Sequence, residues 1–299
     1  MVARTTNAAH NCTGSHRALV VSPHFPPINA PDHQRVRAML PHLPALGWEV
    51  EVLCVDAPHV EGSRDELLEM ALPNELQVHR CRAVPLKLAR LARCGQVGYR
   101  AYFHLRAAGD RLLQTGRFDL VFFSTAIFET LTLGPRWKRR YGVPYVVDLH
   151  DPWVTDYYDR PGSAPPPGGR LKFALSQAIA RRSEPQAMRE AAHIFCVSPD
   201  YPKTLRARYP ELPEERFSVV PFAAPQHDFV SLEKLRVTTP LWPQRSARAR
   251  WLYLGRVVPA MKLPLSGFFR WLGKADNQTT GAPEPWFVGT KYLATDRTQ

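Results

Sequence analysis

The sequence predicts an α/β protein: a doubly wound, Rossmann-like parallel sheet followed by an incomplete second α/β unit. Three observations predict it. Residues 17–56 read as strand, Pro-containing loop, helix, Gly turn and strand. Apolar runs then alternate with helical stretches as far as Pro221, and a fresh strand–loop–helix pattern begins near residue 249. Strands that alternate with helices need crossover connections, which make a sheet parallel and its crossovers right-handed.

The elements follow in order. Ala18 to Ser22 is an apolar run ending in a polar residue, as in a strand buried on both faces. Pro23, Pro26, Pro27 and Pro31 forbid regular structure after it. Asp32 is placed to cap a helix whose apolar positions are Val36, Met39, Leu40 and Leu43, and Gly47 stops that helix. Glu49 to Val55 is the second strand. Phe118 to Ser124 is the third, residues 126–141 form a helix, and Tyr145 to Leu149 is the next strand. Residues 161–169, rich in Pro and Gly, form a surface loop. A helix over Leu171 to Ala192 contains Pro185, which should kink it or end a first segment. Ala192 to Ser198 is a strand, Tyr201 to Tyr209 a short helix, and Phe217 to Pro221 the last strand of the set.

Residues 223–248 show no sustained period and read as a connector. Trp251 to Arg256 then resembles a first strand with its loop, 264–273 a helix, and Trp286 to Thr290 a further strand. The expected organisation is a disordered leader at 1–16, a domain at 17–224, a connector at 225–248 and the truncated start of a second domain at 249–299.

Composition narrows the class. The chain has 299 residues, 44% of them hydrophobic, long enough for one large domain or two moderate ones. No apolar run approaches the length of a membrane span, and the first 16 residues lack a signal-peptide core. Five scattered cysteines, 12, 54, 81, 94 and 196, have no C-x-x-C spacing; this suits a reducing, cytoplasmic setting without a metal framework. The net charge is +12, and between His79 and Arg117 nine Lys/Arg stand against one acid, Asp110. Arg136, Lys138, Arg139 and Arg140 follow. Such runs are either a solvated helix face or an attraction to an anionic surface. Leu86, Leu88, Leu91, Tyr99, Tyr102, Phe103 and Leu105 interleave with the bases, which favours a membrane periphery on the cytoplasmic side. No nucleic-acid-binding signature accompanies the charge.

The loop at 22–32 follows the first strand and so lies at the carboxyl edge of the sheet, where open α/β folds bind ligands. It contains no glycine, which speaks against a dinucleotide fingerprint. His150 and Asp151 follow another strand at the same edge, where such a pair suits orienting a hydroxyl. The structural alternative makes Asp151 a turn cap and His150 a loop residue. Asp148 reads as structural, Ser198 as an edge or capping residue and secondarily a ligand contact. Trp153, Tyr157 and Tyr158 line a ligand site or pack under the Pro-rich loop. No serine carries an elbow motif, so hydrolase chemistry has no support.

Five stretches in register resemble the GT-B glycosyltransferases of the family 4 group: VVSPHFPP with an Arg-bearing helix and LGWEVEVLCV, FDLVFFS, GVPYVVDLHDPW, AAHIFCVSPDYPKTLRARYP with RFSVVPF, and LYLGRVVPAMK. The resemblance implies a retaining transferase that uses a nucleotide sugar, with the acceptor on the first domain and the donor on the second. It implies donor contacts at Pro27, Asn29, Ala30, Gly255, Arg256 and Lys262, where positive charge stabilises a diphosphate leaving group. It places His150 and Asp151 in the catalytic role and Arg35, Trp153 and Ser198 on the acceptor side.

The chain departs from that pattern in three places. Asn29-Ala30 stands where the family commonly has a Gly pair, and the gap from Arg256 to Lys262 is one residue longer. The E-x7-E element is absent, the only acids after Lys262 being Asp276, Glu284 and Asp296. The expected function is therefore transfer of a sugar to a glycan, lipid-linked or polysaccharide-precursor acceptor, with this chain alone a weak catalyst or none. A non-catalytic module that binds acceptor or partner is the alternative. No cofactor and no metal are expected, and the partners are the nucleotide sugar, the acceptor and an anionic membrane surface, not nucleic acid.

Overall fold

The computed structural model describes residues 15–91, 94–163, 165–166, 168–234, 248–255, 257, 261–278 and 283–289. Its contacts divide the chain into two compact units, Met1–Val154 with Ile179–His227, and Thr155–Ala178 with Asp228–Gln299.

The first unit is built on a seven-stranded sheet in the order β3-β2-β1-β4-β5-β6-β7. The strands are β1 (His16–Val21), β2 (Trp48–Val55), β3 (Gln77–Cys81), β4 (Leu120–Ser124), β5 (Tyr145–Leu149), β6 (His193–Cys196) and β7 (Phe217–Val219). Every pairing is parallel. The helices up to residue 234 are, in chain order, α1 (Gln34–Met39), α2 (Leu67–Met70), α3 (Leu86–Leu91), α4 (Val97–Thr115), α5 (Leu133–Tyr141), α6 (Arg170–Arg189), α7 (Asp200–Arg208) and α8 (Gln226–Lys234), of which α6 as far as Ala178 and α8 from Asp228 belong to the second unit. One sheet face packs Phe123 against Trp137 (5.8 Å, stacked) and Tyr145 (6.0 Å, edge-on), all three fully buried. Burying a side chain of this size is worth about 2–3 kcal/mol. The chain reverses its winding between β1 and β4, and beyond the carboxyl ends of strands at such a switch point open α/β folds bind their ligands.

The second unit contains a parallel pair, β8 (Arg250–Leu254) and β9 (Glu284–Val288), joined through α9 (Lys262–Gln278). Trp251 stacks on Trp271 at 5.4 Å.

Several elements differ from expectation. β3 was not foreseen, because Gln77–Cys81 carries charged and polar residues, as an edge strand tolerates. The helix expected after Asp32 breaks after Met39 into two 3₁₀ turns, since Pro41 and Pro44 cannot donate in a helix interior. Gly47 does stop it, at φ 78°. Conversely, α6 runs through Pro185, where buried Ala180, Glu184, Ala187 and Met188 offset a lost backbone bond. α8 lies within the expected connector; residues 235–247 are outside the described residues, as is all of the expected leader except Ser15 and His16, which opens β1.

The basic stretch at 80–117 is only partly a surface. Arg100 is buried and donates to the carbonyls of His59 (2.6 Å), Val84 (3.0 Å) and Gly95 (3.1 Å). Leu105 lies in the core, while Leu88, Leu91 and Phe103 are exposed. No helix among the described residues is long and apolar enough to cross a membrane.

Candidate functional site

Three strand ends bring polar residues together at the carboxyl edge of the sheet. β1 leads to Ser22 and His24, β4 ends in Ser124 and leads to Thr125, and β5 carries Asp148 and leads to His150 and Asp151. A parallel strand buried on both faces can expose polar groups only where it stops, so these residues gather at one edge.

The first cluster centres on Asp148, fully buried. Its Oδ2 accepts hydrogen bonds from Ser124 Oγ (2.7 Å) and His150 Nε2 (2.8 Å), and lies 3.0 Å from Arg35 Nε. Arg35 also donates to Val220 O at 2.6 Å and lies over the Phe222 ring at 4.8 Å. Phe222 meets His150 edge-on at 5.2 Å. Tyr201 donates to the His150 carbonyl at 3.3 Å. Thus α1, β4, β5 and the segment after β7 are tied at one point. His150 Nδ1 and Asp148 Oδ1 are buried without a hydrogen-bond partner among the described residues.

The second cluster lies on the loop after β1. His24 Nδ1 is 2.9 and 3.0 Å from the two Asp32 oxygens, and Thr125 Oγ1 donates to Asp32 Oδ2 at 3.3 Å. Burial opposes charge on both partners, yet their mutual attraction prevails: His24 is raised and Asp32 lowered from their ordinary values. Burial pushes His33 down, and its Nε2 donates to Ile28 O at 2.7 Å. Desolvation raises Asp151, whose acid form is favoured further by repulsion from Asp32 and opposed by His150.

The backbone pins this loop: Asn29 N–H donates to Ser63 O (2.8 Å) and Asp65 N–H to Pro27 O (2.7 Å).

The expected site residues are placed as follows. His150 and Asp151 share the edge, but His150 is buried and Asp151 exposed. Asp148 is structural in the sense expected, although its partners are side chains rather than backbone. Arg35 is committed to internal partners. Trp153 is buried and stacks on Phe128 at 5.8 Å. Ser198 is half-buried, and its Oγ accepts Asp200 N–H at 3.4 Å. Pro27 and Ala30 are buried and Asn29 is half-buried. In the second unit, Gly255 follows β8 and exposed Lys262 opens α9, whereas Arg256 lies outside the described residues. Asp32 does not cap a helix, because its carboxylate is taken by His24. Sequence reasoning missed His24, Ser124 and Thr125 as site residues. Their signal was polar residues at, or within three positions beyond, the carboxyl end of each buried strand.

The model of the glycosyl transferase 4-like domain matches residues 33–223. The chain belongs to this family. The match to the glycosyl transferase 4-like domain begins at His33, so β1 and the His24 loop are placed by the sheet topology instead. No curated protein matches the sequence. Among solved structures, the chain is similar to the glycotransferase of kitacinnamycin, at 12% identity and TM-score 0.47, covering 96% of this chain and 68% of that one. Another is UGT2 of Phytolacca americana with UDP-2-fluoro-glucose and pterostilbene, at 14% identity and TM-score 0.47, covering 91% and 71%. A third is the glycosyltransferase SnogD from Streptomyces nogalater, at 17% identity and TM-score 0.42, covering 92% and 66%. These three are too distant to carry any argument about chemistry.

Proposed function

We propose that the chain belongs to a transferase that moves a sugar from a nucleotide-sugar donor to a glycan, lipid-linked or polysaccharide-precursor acceptor. Residues 17–224 act as the acceptor-side domain, 225–248 connect, and 249–299 begin the donor-binding domain. The observation that carries the reading is the cluster of polar side chains at the carboxyl ends of β1, β4 and β5 in a glycosyl transferase 4-like domain. Asp151, exposed at that edge, contacts the substrate, while His150 supports it from beneath. Pro27, Asn29 and Ala30 approach the donor through the loop backbone, and Gly255, Arg256 and Lys262 hold the diphosphate by charge and backbone N–H groups. Arg35, Trp153 and Ser198 shape the acceptor side. Exposed Leu88, Leu91 and Phe103 beside Lys87 and Arg90 support peripheral contact with an anionic membrane.

The test is a binding and transfer experiment with radiolabelled nucleotide sugars. Nucleotide-sugar binding, with transfer that falls at least tenfold in Asp151→Asn, is expected. Acceptor binding without donor binding or transfer would instead make the chain a non-catalytic module. Absence of binding to any nucleotide sugar and any glycan would sink the transferase reading.

A further inference from the structure

Helix α6 carries two faces, and the fold buries only one of them. With about 100° between successive residues, Gln177, Ala180, Glu184 and Ala187 share one side, and all four are buried. Leu171, Leu175, Ala178 and Ile179 share the opposite side. They are exposed, Leu171 by 90%, Leu175 by 64% and Ile179 by 38%. This aliphatic stripe runs for about 12 Å along the helix axis. Its borders are basic: Lys172 stands on one flank, Arg170 and Arg181 on the other, and Arg182 closes the end. These four bases are exposed and form no ion pair among the described residues. From Arg160 to Arg182 the chain holds five bases and no acid.

We propose that this outward face of α6 docks on an anionic lipid bilayer, with Leu171, Leu175 and Ile179 below the level of the phosphates. The inference goes beyond the transferase reading and uses none of the residues given a role there. Charge selects the occupant. A second copy of the same face would set four unpaired bases against four, and like charges repel. A bilayer offers the complementary arrangement, phosphates level with the bases and hydrocarbon beneath them. Lysine and arginine lay their stems along apolar surface while the charged head stays in a polar layer, so Lys172 and Arg181 reach headgroups as the leucines descend. The stripe holds no hydrogen-bonding side chain of the kind that registers a protein partner, and hydrocarbon asks for none. Because the stripe is short, insertion and charge are both required, as stable membrane attachment takes two signals.

The experiment is co-sedimentation of the full chain with vesicles of phosphatidylglycerol and phosphatidylcholine, and with phosphatidylcholine alone. Binding should be at least tenfold tighter to the anionic vesicles and should weaken as salt is raised. Leu171→Gln with Leu175→Gln should weaken it at least fivefold, while Leu171→Met with Leu175→Met should keep it. Arg181→Gln with Arg182→Gln should weaken it at least fivefold and flatten its salt dependence. All four positions are exposed, so each pair should melt with the wild type. A glutamine pair that fails to fold leaves the decision to the other. Binding to which a folded glutamine pair makes no difference overturns the inference. Self-association in sedimentation velocity that the leucine pair abolishes also overturns it, and makes the face an interface between copies. Absence of vesicle binding overturns it too and leaves the stripe to an acidic protein partner. The contact through Lys87 and Arg90 is tested by other variants, so either fails without the other.

Discussion

Asp148 Oδ2 receives His150 Nε2 at 2.8 Å, so the histidine that follows β5 is anchored to the strand residue two positions before it. The link turns the chain back on itself at the sheet edge. It puts His150 under Phe222 and leaves Asp151 outside.

Changing His150 to alanine is expected to cost stability. Asp148 loses one of its donors while remaining fully buried, and an unsatisfied buried group costs about 1–3 kcal/mol. Asp151→Asn, on the exposed side, should change stability by no more than about 0.5 kcal/mol. Urea unfolding of the two variants checks this, and equal losses would remove the distinction between support and contact.

The His24–Asp32 pair predicts a pH window. His24 is raised above 6.5, so its contribution is full below that value and is lost as pH rises through the folded pKa. Asp32 is lowered below 3.8, so its contribution is full above that value and is lost as pH falls through the folded pKa. The stability difference between the wild type and Asp32→Asn should therefore be greatest between 3.8 and 6.5 and shrink on both sides. A difference that is flat from acid to alkaline pH would show that the pair is not charged.

Glu184 is almost wholly buried, raised by desolvation, and held by Arg208 at 3.0 Å and Tyr209 at 2.8 Å. Arg208→Ala removes the counter-charge and should destabilise by about 3 kcal/mol at neutral pH. The loss should shrink toward pH 4, because the folded variant then takes up a proton on Glu184 more readily than the unfolded chain. Denaturation at two pH values measures it; an equal loss at both would refute the charge argument.

Gly109 touches Trp137. A Cβ there would stand 2.2 Å from Cζ2 of a ring that is fully buried, stacked on Phe123 and bonded through Nε1 to Asp110 at 2.9 Å. The ring has nowhere to move, so Gly109→Ala should cost about 1–3 kcal/mol through overpacking. A thermal melt unchanged from wild type would mean that α4 sits farther from α5.

Among the exposed bases, Arg82, Lys87 and Arg90 lie nearest the exposed Leu88 and Leu91 in the chain, whereas Arg100 is buried. Each engaged base is worth roughly 1 kcal/mol near an anionic surface. Replacing all three with glutamine should therefore lower co-sedimentation with phosphatidylserine vesicles more than tenfold. Unchanged sedimentation would exclude this surface.

The parallel class was legible because apolar runs such as Val20-Val21 and Phe122-Phe123 are local, and burial on both faces writes itself into consecutive residues. The turn at Gly47 and the loop at 22–32 were legible for the same reason: backbone constraints of Gly and Pro act within a few residues. β3 was hidden because an edge strand carries charge. What only the tertiary structure decided was which polar residues meet. Asp32 looks like a helix cap from its neighbours, yet it serves His24 because the loop folds back and burial makes a charged partner worth more than a cap. Arg35 looks available for a substrate, yet it reaches Asp148, a residue more than a hundred positions away. Side-chain electrostatics depends on distance in space and on exclusion of water, and neither is encoded in spacing along the chain.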